Sequence, residues 1–273
     1  RMKKLIIFIP FFTAFLMIVF SCSPTSKIES KKGTTDNVKY VNTFIGTGGH
    51  GHTFPGATTP YGMVQLSPDT RTIGWDACGG YHYTDSSILG FSHTHLSGTG
   101  ISDLGDFLFM PFTGEPKITP GTPEDPDSGY RSRFSHEDEV ASPGFYSVLL
   151  KDYNIKAELT ATNRAGFHKY TYNGGGNSGI IIDLSHTIYK DAKPSHEFKV
   201  INNTEIAGYK GSGGWAVSQD IYFHAKFNKP FTCTFYENDK KVDVLPNTKY
   251  TKLINILNNQ CLGSARFWLP GSG

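Results

Sequence analysis

Tyr146-Ser147-Val148-Leu149-Leu150, Ile155-Lys156-Ala157-Glu158-Leu159-Thr160-Ala161 and Phe167-His168-Lys169-Tyr170 follow one another between short turns, and Gly179-Ile180-Ile181-Ile182-Asp183-Leu184 closes the series. Tyr146, Val148 and Leu150 share one face, and Ile155, Ala157, Leu159 and Ala161 share the next, which is the period of a half-buried strand. A turn at Ala165-Gly166 reverses the chain, and Asn173 to Asn177, with three glycines, is a tight connection. The unbroken apolar run that follows it reads as a central strand covered on both faces.

Outward from this stretch the same grammar continues. Met63-Val64-Gln65-Leu66 ends at the turn signal Ser67-Pro68-Asp69, Ile88 to Leu96 is strand-like, and Phe107 to Met110 is a buried-type run stopped by Pro111. Lys117 to Ser142 is rich in Pro, Gly and charge and reads as a long surface loop. Ile206–Tyr209, Trp215–Ser218, Ile221–Phe227 and Phe231–Tyr236 extend the meander. No segment after the leader keeps a capped helical period, and no internal repeat is present. The expectation is an all-β chain, a large antiparallel β-sandwich over residues 38–241. Residues 242–273 lose the alternation, carry Asn/Lys clusters and are expected to be a divergent or truncated end.

Composition agrees. The 273 residues include 14% aromatics, 30 Gly and 15 Pro, which suits strands and turns. With 38% hydrophobic residues the chain can fill a core, so disorder, collagen, coiled coil and a polytopic membrane protein are excluded. Arg1, Lys3 and Lys4 precede an apolar run from Leu5 to Phe20, too short to span a bilayer and interrupted by Pro10 and Thr13, the pattern of a secretory signal. Without those three, 23 basic residues face 24 acidic ones, a net charge of −1, and no clustered basic face points to nucleic acid. Val19-Phe20-Ser21-Cys22 resembles a bacterial lipoprotein box in which Cys22 is lipidated. Residues 1–21 are then the signal and 22–37 a flexible tether, giving an exported, membrane-anchored lipoprotein, periplasmic or at the cell surface. Cys78, Cys233 and Cys261 remain, with no zinc spacing and room for at most one disulfide.

Chemistry concentrates in two stretches. Thr43 to Ala57 contains Gly46-Thr47-Gly48-Gly49-His50-Gly51-His52, whose glycines permit close backbone approach but lack the GxxxxGK[ST] of a phosphate loop. Gly74-Trp75-Asp76-Ala77-Cys78-Gly79-Gly80-Tyr81-His82-Tyr83 leads to Gly90-Phe91-Ser92-His93-Thr94-His95, then Asp103 and Asp106. Five of the ten histidines lie between His50 and His95. On a strand, His93 and His95 would point to one face, and His50 and His52 repeat that spacing. Three readings stay open: a metal site, for which nitrogen-rich ligands disfavour calcium; a sugar surface, with Trp75, Tyr81 and Tyr83 stacking on pyranose faces while Asp76, His82, His93 and His95 bond hydroxyls; or buried histidines bracing loops. Asp69, Asp76, Asp103 and Asp106 offer no spacing that singles out a hydrolytic pair, and a GxSxG elbow is absent.

Val41-Asn42-Thr43-Phe44-Ile45-Gly46, His52-Thr53-Phe54-Pro55-Gly56-Ala57 and Tyr61 to Asp69 resemble the opening of glycoside hydrolase family 92. Gly80-Tyr81-His82-Tyr83 and Gly90 to Gly100 resemble it too. The likeness is strong over 38–114 and continuous to about Tyr236. It implies an exported, exo-acting α-mannosidase, largely of gut Bacteroidetes, that uses calcium and inverts the anomeric centre. It also implies an N-terminal β-sandwich joined to an (α/α)6 barrel, with the pocket between them. The family's catalytic carboxylates and calcium ligands lie in that barrel, so no catalytic residue, no metal ligand and no calcium are expected within these residues. The expected function is the N-terminal pocket domain of such an enzyme, truncated and inactive alone, with a mannose-containing glycan, the helical domain and the membrane as partners. Trp75, Asp76, Tyr81 and His82 are expected nearest the sugar, with His93 and His95 behind or beside them. Competing expectations are a free-standing carbohydrate-binding lipoprotein and a small hydrolase using Asp103 or Asp106.

Overall fold

The computed structural model describes residues 36–188, 195–215, 217–237, 239–242, 252–257 and 261–268. The expected signal, the lipidation site Cys22 and the tether up to residue 35 lie outside them. The chain divides into residues 1–36 and a second compact unit, 37–273, which carries every element below.

Its strands are β1 (Ala57–Thr58), β2 (Gln65–Asp69), β3 (Ser87–Ile88), β4 (Gly90–Ser92), β5 (Leu108–Thr113), β6 (Ser132–Arg133), β7 (Val140–Ser142), β8 (Phe145–Leu150) and β9 (Ile155–Ala161). The second half adds β10 (Ala165–Tyr172), β11 (Ser178–Asp183), β12 (Ser195–Asn202), β13 (Glu205–Ser212), β14 (Gln219–Phe227), β15 (Thr232–Glu237), β16 (Lys240–Val242), β17 (Lys252–Leu257) and β18 (Cys261–Trp268). They form two eight-stranded sheets, ordered β1-β2-β4-β5-β11-β17-β15-β16 and β12-β13-β14-β18-β10-β9-β8-β7, with β3 and β6 as a separate pair. The ladders are antiparallel throughout, and the only helical turns among the described residues are single 3-10 turns, one of them at Trp75–Ala77. The all-β sandwich is the fold.

The alternation read from the sequence is the packing pattern. In β9, Ile155, Ala157, Leu159 and Ala161 are buried while Lys156 and Thr160 are exposed. β11 is buried at every position, as a strand flanked by β5 and β17 should be. Both sheets feed one core: Phe91, Phe109, Met110 and Ile180 to Ile182 from one, Tyr146, Val148, Leu159, Tyr170 and Phe223 from the other. Each large side chain taken out of water contributes about 1.5–3 kcal/mol.

Two prolines behave differently from their sequence reading. Pro68 and Pro111 do not end strands; they sit inside β2 and β5. Each lies where one neighbour is missing. β1 reaches β2 only at Gln65 and Leu66, and β4 meets β5 only at Phe91↔Phe109. The absent N–H therefore costs no ladder bond. Trp215–Ser218 is not a strand among its described residues, and the long segment 117–142 is not wholly surface, since Tyr130, Arg131, Ser132 and Phe134 are buried.

The largest difference lies after residue 241. β17 pairs with both β11 and β15, and β18 with both β10 and β14, so each sheet takes one of its interior strands from the stretch expected to diverge. In the sequence Leu253, Ile254, Ile256 and Leu257 read as a short apolar run rather than as an alternation. The Asn and Lys residues around it hide it from a search for period two.

Candidate functional site

Three loops meet beyond the ends of β2 and β4. The first, Phe44 to Gly56, is folded by turn bonds from Thr47 N–H to Phe44 C=O (3.1 Å) and from Thr53 N–H to Gly46 C=O (3.2 Å). Its crossing is tight enough that a Cβ on Gly51 would lie 2.1 Å from the Gly46 oxygen. The Tyr83 N–H donates to Thr47 C=O (2.8 Å) and the Gly98 N–H to His52 C=O (2.9 Å), which ties in the other two loops.

At this junction stand His50, His52, Trp75 and Asp76. His50 Nδ1 lies 2.7 Å and His52 Nε2 3.1 Å from the same oxygen, Asp76 Oδ1. The hydrogen bond from His50 is the main reason the Asp76 carboxyl is held below its usual range, with His52 adding to it. His50 and Asp76 are open to solvent at 78% and 26% of their side chains, whereas His52 is enclosed. His52 adopts positive φ (54°) and packs edge-to-face on Trp75 at 5.3 Å. Trp75 is 62% exposed, and its ring lies over Gly100, where a Cβ would meet it at 2.5 Å. The Cys78 S–H donates to Trp75 C=O (3.0 Å). The same 100–103 loop holds the backbone of a second exposed tryptophan: the Trp215 main-chain N–H donates to Asp103 Oδ2 (2.8 Å).

Below the junction the polar groups are buried and paired. Asp69, fully enclosed in β2, lies 2.7 Å from His95 Nε2 and 2.7 Å from His186 Nε2. Burial pushes its carboxyl toward the neutral form, but the two imidazoles outweigh that and hold it well below the ordinary value. His95 Nδ1 donates to Gln65 C=O (2.7 Å). Lys210, with no exposed surface, reaches Asp106 Oδ1 at 2.8 Å and His186 C=O at 2.5 Å. Asp106 Oδ2 also accepts from Thr94 (2.6 Å) and Gln219 (3.1 Å). Beside this, a directed chain runs from the Tyr170 hydroxyl to His168 Nδ1 (2.8 Å), from His168 Nε2 to His93 Nε2 (2.8 Å), and from His93 Nδ1 to Phe107 C=O (2.6 Å). Burial lowers both imidazoles, His93 to about 3, so both are neutral at physiological pH.

Of the six residues expected to line the pocket, Trp75 and Asp76 stand at the open surface. Tyr81 is 1% exposed with its hydroxyl donated to Glu139 (3.0 Å), and burial followed by that carboxylate pushes it far above its ordinary value. His82 is enclosed, its nitrogens 2.9 Å from Thr84 Oγ1 and 3.1 Å from Gly49 C=O. His93 and His95 lie in the buried networks and point apart. The expected shared face fails because β4 ends at Ser92, so neither histidine sits on a strand. Tyr83 stacks on His136 at 4.0 Å. Asp103 and Asp106 are both buried and bonded to protein partners. His186, His168 and Lys210 had no sequence signal: His168 in β10, Lys210 in β13 and His186 in the segment after β11 are single residues brought to the site only through the fold. Cys78 and Cys233 are free thiols; the side chain of Cys261 lies outside the described residues.

The described residues contain one group with metal-ligand reach: donor atoms of His50, His52 and Asp76 within 4.8 Å of one another. Two imidazole nitrogens and a carboxylate do not fit calcium, which takes six to eight oxygens.

The sequence profile of the glycosyl hydrolase family 92 N-terminal domain matches residues 40–260. A family 92 α-mannosidase from Bacteroides thetaiotaomicron, solved in complex with mannoimidazole, superposes with a TM-score of 0.79 at 40% identity, over 86% of this chain and 33% of that one. A family 92 inverting mannosidase from Bacteroides thetaiotaomicron VPI-5482 gives a TM-score of 0.70 at 25% identity, over 88% and 32%. An uncharacterized secreted glycosidase of Arthroderma benhamiae is 32% identical over 165 residues, 55% of this chain and 20% of that protein. The chain thus spans about a third of the solved relatives and a fifth of the curated one. With most of its length matched, it belongs to glycoside hydrolase family 92, through that family's N-terminal domain.

Proposed function

We propose that this chain forms the N-terminal wall of the substrate pocket in an exported α-mannosidase that removes terminal α-mannosides from glycans with inversion. The observation that carries this is the Trp75–Asp76 corner. A pyranose offers an apolar C–H face and a rim of hydroxyl donors. The corner offers an exposed indole next to a carboxylate that two histidines keep ionised. In this reading Trp75 stacks on the sugar, Asp76 accepts a hydroxyl, and Trp215, from the β13–β14 connection tied to Asp103, is a second stacking surface. Tyr81, His82, His93 and His95 hold the loops in place from behind.

Inversion needs two carboxylates on opposite sides of the glycosidic bond with a water between. Asp69, Asp103 and Asp106 are enclosed and engaged, so that pair is assigned to the helical domain implied by the family, together with calcium. Alone, the 273-residue chain then releases no mannose. Export is supported by the Leu5–Phe20 leader and by the secreted relative, and anchoring is assigned to a lipid on Cys22. The test is a fusion of this chain to the C-terminal two-thirds of the 40%-identical Bacteroides enzyme. The fusion should release mannose from an α-mannoside while the chain alone does not. A folded but inactive fusion, or release by the chain alone, would overturn the reading.

A further inference from the structure

We propose that His50, His52 and Asp76 bind one zinc-class divalent cation, a site apart from the calcium that the family's helical domain is expected to hold. The donors already converge: His50 Nδ1 and His52 Nε2 both address Asp76 Oδ1, and all three lie within 4.8 Å. In a tetrahedral zinc sphere with bonds near 2.0–2.1 Å, neighbouring donor atoms sit about 3.3 Å apart. The present separations of 2.7 and 3.1 Å need only a small outward shift. His50 can supply it, because most of its side chain is in solvent.

The other two ligands are preorganised. His52 is enclosed, fixed by its positive-φ backbone, by the Gly98 N–H on its carbonyl and by the Trp75 ring. Asp76 belongs to the 3-10 turn that also carries Trp75. Two neutral imidazoles and one carboxylate sum to a single negative charge, which a dication reverses. The nitrogen-rich donor set selects zinc over calcium or magnesium. Three protein ligands leave the fourth position to water at the open face beside Trp75. The bound cation would lock the Phe44–Gly56 loop onto the Trp75 turn, adding to the hydrogen bonds and the His52–Trp75 ring contact that now join them.

The inference does not rest on the mannoside reading, and its test contains no sugar. Zinc is titrated calorimetrically into the full chain at neutral pH, with calcium as a parallel probe. One saturable equivalent of zinc is expected, weakened by roughly tenfold or more in His50→Ala and in Asp76→Asn, and unchanged in His224→Ala, a histidine of β14 outside the cluster. Cobalt(II) should give the intense visible bands of four-coordinate metal in the unaltered chain and lose them in His50→Ala, a surface change that keeps the test valid if Asp76→Asn misfolds. No saturable zinc binding, equal binding by His50→Ala, or stronger binding of calcium than zinc at this cluster would overturn the proposal.

Discussion

His93–His95 and His50–His52 share one spacing and nearly one composition, yet the protein uses them in opposite ways. The first pair is sealed under the loops, where His95 braces Asp69 and His93 ends a neutral chain through His168. The second reaches the rim through His50 while His52 is enclosed, and both imidazoles address one solvent-accessible carboxylate beside an exposed indole. Burial of the carboxylate decides the difference: Asp69 is sealed, whereas Asp76 is 26% exposed. In the interior a polar atom must be spent on a protein partner, because leaving it unpaired costs about 1–3 kcal/mol. At the rim the bonds from His50 and His52 to Asp76 lie where solvent reaches the carboxylate, so a ligand can exchange for them. A histidine cluster in a sequence therefore marks a junction of loops, and only the fold says which histidines face outward.

The contrast can be broken most forcefully at Lys210. Lys210→Met should leave Asp106 buried without its cation and lower the unfolding free energy by about 3–5 kcal/mol, read from denaturant midpoints. A loss under about 1 kcal/mol would mean that water reaches the pair.

Acid is the next lever. Between pH 6.5 and about 3, unfolding lets His93 take up a proton that the folded state refuses, and His168 acts in the same direction. Stability should therefore fall as pH drops below about 6.5, by up to about 1.4 kcal/mol per pH unit for each. Asp69, whose folded value is depressed, adds a loss of the same sign once the pH falls below its unfolded value near 4. His168→Gln should flatten the upper part of this profile, and an unchanged slope would place the proton uptake elsewhere.

At the rim, Trp75→Ala should change the unfolding free energy by no more than about 0.5 kcal/mol, since the indole is mostly in solvent. Smaller still is Arg133→Ala: its bonds to Asp127 and Asp152 lie on the surface, where screening leaves little net stabilisation. No resolvable midpoint shift is expected, and a clear one would show that buried and exposed charges differ less than the comparison holds.

Much of the fold was legible because β8, β9 and β10 alternate and β11 does not, the signatures of half-covered and fully covered strands. Interior strands β17 and β18 were not legible. Nor was the continuation of β2 and β5 through Pro68 and Pro111, because whether a proline breaks a strand depends on which neighbour is absent. For the candidate site, Trp75 and Asp76 stood out by residue type. His50 and His52 stand out by spacing but not as pocket residues, since nothing in sequence shows that they converge on Asp76, more than twenty residues away. Tyr81, His93 and His95 carried the same chemistry but not the exposure, and exposure is set by long-range packing.

The most direct test of this division between rim and interior is mannose release by the fusion carrying Trp75→Ala, with the unfolding midpoint measured on the same sample. Release slower by roughly tenfold or more at an unchanged midpoint is the predicted result. Release at the unaltered rate, or a loss matched by a fallen midpoint, would contradict it.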